Sequence, residues 1–306
     1  MRISLNSLAA FLLLTTLALS ACESRPAMAD DPAKTKPAEK TDSAKKEKPA
    51  APVSIFKDKN LEAAVRAEVY AKRNSKDPIL ASDVANISRV VGKGKKIADL
   101  SGLEHCKALM LIDLENNEIQ NLAPIAELKR LQSVTLAGNK IRDIKPLQGL
   151  VAMQLLDLSK NQIEDLAPIG KMSNLRTLYV AENRLKSIKP LQSLTKVWSL
   201  DLAQNQISDL SPIGKFGWLT TLDITGNEVE SLESLTELRE LDMLMISRNK
   251  VKDLSPLVKM CRKDAEGDRR FSPYLEVYLG ENPIDEKAKA QQTKKLQSFG
   301  VDVHDH

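Results

Sequence analysis

Aromatic side chains make up only 4% of this 306-residue chain, and cysteine and histidine occur three times each. So few of them leave little from which to build a catalytic or metal site. No zinc-spaced cysteine pair, glycine-rich phosphate loop or nucleophile elbow is present. The segment "VDVHDH" holds His304 and His306, but a frayed tail without a sulfur ligand is a poor metal site, and His105 stands alone. We therefore expect no enzyme activity, no metal and no cofactor. Lys and Arg exceed Asp and Glu by only 45 to 41, without a long basic stripe, so nucleic acid is not suggested. Beyond residue 22 no apolar run is long enough to span a bilayer. What is plentiful is aliphatic: 42% of the residues are hydrophobic, enough for a sizeable core.

The first residues, "MRISLNSLAAFLLLTTLALSAC", place Arg2 ahead of an apolar run from Leu8 to Leu19, the layout of a secretory signal. The end of this run, Leu19-Ser20-Ala21-Cys22, resembles the lipobox of bacterial lipoproteins. That resemblance implies a signal peptide over residues 1–21 and a diacylglycerol on Cys22. The chain is then exported and lipid-anchored to the cell envelope. Glu23 after the cysteine slightly favours the outer membrane if the cell has two. Residues 22–54 are rich in Lys, Ala and Pro and lack aromatics, Leu and Ile. Such a stretch cannot offset its ordering entropy, so it reads as a disordered tether, reaching about 30 Å or more.

Asparagine recurs at 117, 139, 161, 183, 205, 227 and 249, every interval being 22 residues. Apolar residues keep the same register: five and three before each asparagine, then two, five and eight after it. Alternation such as Leu-x-Leu fits a short strand, and a fixed period of this length is the signature of a solenoid. The rest of each repeat must turn and return, so successive strands lie parallel. Turning backbone inside the coil needs hydrogen-bond partners. An asparagine supplies donor and acceptor on one short side chain, so Asn117, Asn139, Asn161, Asn183, Asn205, Asn227 and Asn249, with Asn282 further on, read as a structural ladder.

With proline seven after the asparagine in most repeats (Pro124, Pro146, Pro168, Pro190, Pro212, Pro256; Ser234 is the exception), stretches such as "LQSVTLAGNKIRDIKPLQGL" resemble the 22-residue leucine-rich repeats of bacterial internalins. The resemblance implies an α/β leucine-rich-repeat solenoid with a parallel sheet on its concave face and a helical cap at each end. Residues 87–284 would hold about nine repeats, the first degenerate, with Lys95 where asparagine is expected. "FKDKNLEAAVRAEV" puts Leu61, Val65 and Val69 on one helical face, resembling an N-terminal helical cap over residues 55–86. Residues 285–306 read as a closing helix, from Asp285 to Gly300, and a tail. Asn282 follows Asn249 by 33 residues, so eleven surplus residues form an insertion near 262–273. Cys106 holds a core register and Cys261 opens the insertion. They lie seven repeats apart, roughly 34 Å at about 4.8 Å per rung, too far for a disulfide.

Side chains six, four and two before each asparagine should face the inner curve. Tyr179, Asp201, Asp223, Met243, Met245 and Tyr278 fall there, with Trp198 at the edge. Exposed rings and Met beside carboxylates suit a protein interface. We expect a monomer that binds an unidentified protein partner and reaches the membrane through its N-terminal lipid. The insertion, with Arg269 and Phe271, is the rival site. An alternative is an envelope-structural module that binds peptidoglycan or another surface glycan.

Overall fold

The computed structural model describes residues 52–305. Ten three-residue strands form one parallel sheet whose spatial order is the chain order. They are β1 (Arg89–Val91), β2 (Leu111–Asp113), β3 (Ser133–Thr135), β4 (Leu155–Asp157), β5 (Thr177–Tyr179), β6 (Ser199–Asp201), β7 (Thr221–Asp223), β8 (Met243–Met245), β9 (Glu276–Tyr278) and β10 (Asp302–His304). From β2 to β9 the middle residue is buried and its two neighbours are half-buried, the alternation that one covered face imposes. Pairing is in step through the repeats, Leu111 opposite Ser133 and Leu155 opposite Thr177, so each residue type stacks in a column.

The opposite wall is built of short 3-10 turns at the prolines, such as Ala123–Ile125 and Lys145–Leu147. Proline suits a first helical position because its missing N–H would have no partner there. A side chain four after each ladder asparagine helps set these turns: Asp143, Asp165 and Asp209 accept the N–H two residues on, at 2.8 Å each. The same turn forms at Glu233–Leu235, where Ser234 replaces proline and Ser231 accepts the N–H of Glu233. Between the two walls lies one continuous aliphatic core, joined by Phe56, Phe216 and Phe271.

At the N-terminal end, helix α1 (Lys59–Glu68) buries Leu61, Ala64 and Val65. Asp58 caps it by accepting from the N–H groups of Asn60 and Leu61. Its second oxygen accepts from Ala98 and Asp99, which ties the cap to the first repeat. One turn of helix, α2 (Ala81–Val84), completes this end.

Two segments differ from expectation. The insertion, expected near 262–273, begins further back: the turn of the eighth repeat is extended into a helix, α3 (Ser255–Glu266), which buries Leu257, Val258, Met260 and Cys261. Those residues recur at helical spacing, so the surplus is absorbed on the turn side and the sheet register survives. The C-terminal tail does not fray either. Helix α4 (Glu286–Ser298), capped by Asp285, is followed by β10, which pairs with β9. Val301 is buried and Val303 packs on the core, and apolar burial at these alternate positions holds the strand in place. His304 lies on the sheet as a result. His306 and everything before residue 52, including Cys22, fall outside the described residues.

Candidate functional site

The ladder asparagines from Asn117 to Asn249 are each only 7–8% exposed. From Asn139 to Asn249, each Oδ1 accepts an N–H twenty residues back at 2.9–3.0 Å. Each Nδ2 donates to the carbonyl three residues back, in its own rung, and to the carbonyl 25 back, in the previous one. Every such carbonyl is thus shared by two asparagines. Asn282 repeats the pattern across the insertion, reaching Val251 N and Ile246 O at 31 and 36 residues. The difference from 20 and 25 is eleven in both cases, the length of the surplus. In the first rung, Lys95 supplies no side-chain bond, and its backbone N–H donates to Asn117 instead.

The residue before each ladder asparagine has φ between 53° and 70°. Only Gly138 and Gly226 are glycines at this position, although the left-handed conformation costs other residues about 1–2 kcal/mol. Lys160, Glu182, Gln204 and Arg248 accept that strain because the flanking ladder bonds fix the turn.

On the inner face, Asp157, Tyr179, Asp201, Asp223, Met245 and Tyr278 occupy one column in adjacent rungs. Thr177, Ser199, Thr221 and Met243 form the next. All are half-buried. The aspartates also have a local task that the repeat pattern did not reveal. Asp157, Asp201 and Asp223 accept the N–H of the residue two on, at 2.8–3.0 Å, where the strand gives way to the turn. Burial pushes the Asp201 carboxyl up to about 7, and the charge of Asp223 adds to the rise. Burial also raises Asp157 and Asp223.

The aromatic residues divide into two groups. Tyr179 hydrogen-bonds Ser199 across one rung (3.3 Å). Trp198 is 52% exposed, and its indole N–H donates to Thr177 Oγ1 at 3.0 Å, which lays the ring back toward β5. Tyr179 is the register neighbour of Asp201, and Trp198 lies at the other end of the same strand pair. Tyr278 is committed within the fold: its ring stacks on His304 with centroids 4.5 Å apart, and its hydroxyl donates to Glu276. Sequence reasoning missed Trp218, which is 67% exposed. It stands nine before Asn227, in a column that elsewhere holds Ala108, Arg130, Ala152, Asn174, Lys196 and Glu240, with no other large apolar side chain. A tryptophan in a column of small and polar residues was the available signal.

Cys106 and Cys261 are free and buried, and burial pushes both thiols up to about 12. They pack as small apolar side chains. Around the insertion, Arg270 pairs with Glu240, Arg269 bonds its own helix at Ala265 O, and Phe271 is buried. The rival site's apolar anchor is therefore inside the core.

No curated protein matches the chain by sequence. Four overlapping segments, 129–171, 151–196, 173–215 and 199–237, match the model of leucine rich repeats in two copies. Internalin C2 of Listeria monocytogenes is 29% identical, with a TM-score of 0.65 over 70% of this chain and 96% of that one. A leucine-rich-repeat protein of Leptospira interrogans is 22% identical (TM-score 0.52, 66% and 62%). The ectodomain of the Arabidopsis thaliana receptor kinase GASSHO1/SCHENGEN3, solved with Casparian strip integrity factor 2, is 18% identical (TM-score 0.58, 73% and 27%). Residues 129–237 are thus leucine-rich repeats, and the described fold is a leucine-rich-repeat solenoid similar in structure to a Listeria internalin.

Proposed function

We propose that this chain is a non-enzymatic recognition module, exported and held at the cell envelope by a lipid on Cys22, which binds a protein on its inner sheet face. The carrying observation is the face itself. Trp198 lies exposed at the edge by β5, Tyr179 on β5 and Met243 and Met245 on β8 are half-buried, and the half-buried carboxylates of Asp201 and Asp223 lie on the strands between them. Rigid rings and Met with polar neighbours are the composition of protein-binding surfaces, and solenoids present such surfaces along a concave side.

Affinity capture from envelope extract tests the face. The full chain is compared with a variant carrying Tyr179→Ala, Trp198→Ala and Met245→Ala. Tyr278 is left intact because its ring supports His304. The variant should keep the native circular dichroism and retain at least about ten-fold less of the partner, since losing even one interface anchor costs about 1.4 kcal/mol. Equal recovery by both forms would sink the assignment of this face.

The anchor rests on Leu19-Ser20-Ala21-Cys22 at the end of the apolar run. Replacing Cys22 by serine should move the chain from the membrane fraction to the soluble or unprocessed pool. Unaltered fractionation and processing would rule out the lipid.

A further inference from the structure

We infer that what seats on the inner face is a basic peptide segment, whose Arg or Lys side chains meet Asp157, Asp201 and Asp223 in the column that holds the ring of Tyr179, with Trp198 at the edge of the same face. This rests on the recognition reading above and names the partner's chemistry. Asp201 and Asp223 are direct register partners on neighbouring strands, about 4.8 Å apart, and Asp157 lies two rungs from Asp201. Like charges so placed repel each other and gain from a cation between them.

The strands of the repeats do not place that cation on the face. From β3 to β8 the outward positions hold Ser, Thr, Leu, Tyr, Asp and Met, without one Lys, Arg or His. Some glutamates near the ladder turns are paired one repeat away: Glu118 with Lys140 at 2.8 Å, Glu182 with Lys160 at 3.4 Å and Glu228 with Lys250 at 3.0 Å. Among the described residues no ion pair includes Asp157, Asp201 or Asp223. Arg248, on the rim, lowers Asp223 through its field, and Lys93 feels the charge of Asp157, but neither forms an ion pair with these aspartates. The chain as a whole carries +4, so the negative floor is a local departure that general attraction would not produce. Burial and the charge of Asp223 raise the Asp201 carboxyl, so the floor carries its full charge above neutral pH, where binding is read, and a cation seated there favours the charged form. A guanidinium can fork onto adjacent carboxylates while its plane lies against an indole or phenol ring, which makes Arg the better fit.

The test uses the full 306-residue chain in a neutral detergent and a fluorescein-labelled octa-arginine peptide, with octa-glutamate as control. Binding is read by anisotropy at low and high salt. The comparison is with the double variant Asp201→Asn/Asp223→Asn. Each asparagine keeps an oxygen to accept the N–H of Ala203 or Thr225, so the turn survives while the charge goes. We expect octa-arginine to bind the native chain, to bind the double variant about ten-fold more weakly, and to lose affinity with salt. Octa-glutamate should not bind. Equal affinity for both forms, or no binding by the native chain, overturns the inference. The two readings separate in the capture experiment. A partner lost with Tyr179→Ala, Trp198→Ala and Met245→Ala but kept by Asp201→Asn/Asp223→Asn leaves the face as the binding surface and removes the cationic partner. A partner kept by both removes the two together.

Discussion

Asn183→Ala should destabilise the fold by about 3 kcal/mol, the sum of one orphaned N–H and several weakened carbonyl bonds. In the native chain, Asn183 Oδ1 accepts from Ile163 N at 2.9 Å, and that N–H is buried. Nothing replaces this acceptor in the alanine variant, and water cannot enter a site where the side chain is 8% exposed. The carbonyls fare better. Leu158 O still receives Asn161, and Val180 O still receives Asn205. This sharing gives a sharper expectation than the single variant. In Asn161→Ala/Asn183→Ala, Leu158 O loses both side-chain donors, so the double change should cost more than the sum of the two singles. Asn282→Ala, where the side chain is half-buried and water can substitute, should cost clearly less than Asn183→Ala. Urea unfolding of the four variants measures all of this. A loss under about 1 kcal/mol for Asn183→Ala would refute the structural role assigned to the ladder.

Ending the chain at Gly300 should cost about 3–5 kcal/mol. Val301 is 3% exposed and Val303 packs on the core, and burial of each contributes about 1–2 kcal/mol. The strand bonds from Asp302 N to Leu275 O and from Leu279 N to His304 O go as well, at about 1 kcal/mol each. So does the stacking of His304 on Tyr278. Removing β10 also bares the edge of β9, and an unpaired edge invites pairing with another chain. The shortened protein should therefore unfold at lower urea and sediment partly as larger species. A chain that stays monomeric with an unchanged midpoint would mean that β10 adds nothing to the sheet.

That strand marks where sequence reasoning stopped. The repeated rungs were readable because each column of apolar residues recurs many times, and the asparagine register aligns them. The "VDVH" stretch alternates too, but it carries no asparagine and follows a helix, so three residues gave too short a pattern to separate from a tail. The helix α3 was hidden by its own proline. Pro256 occupies the register of the other turns, which drew attention from the spacing of Leu257, Met260 and Cys261. On the inner face, the positions were legible from alternation alone, whereas the strand-end bonds of Asp157, Asp201 and Asp223 depend on backbone direction. Trp198 was legible as a residue of the strand edge, but its hydrogen bond to Thr177 and the exposure of Trp218 needed coordinates.

The ladder bonds reach only to adjacent rungs, and the insertion shows that they are indifferent to how many residues lie on the turn side. For a gene encoding such a chain, unequal recombination between repeats is therefore a mild event. Losing or gaining one 66-base unit rejoins the same donors to equivalent acceptors and leaves both caps intact, while the inner surface shortens or lengthens by about 4.8 Å. A unit such as the one bearing Asp201 could be copied or deleted whole, so the reach of the protein and the number of its contact rungs can change by inheritance in single steps without the fold being solved again.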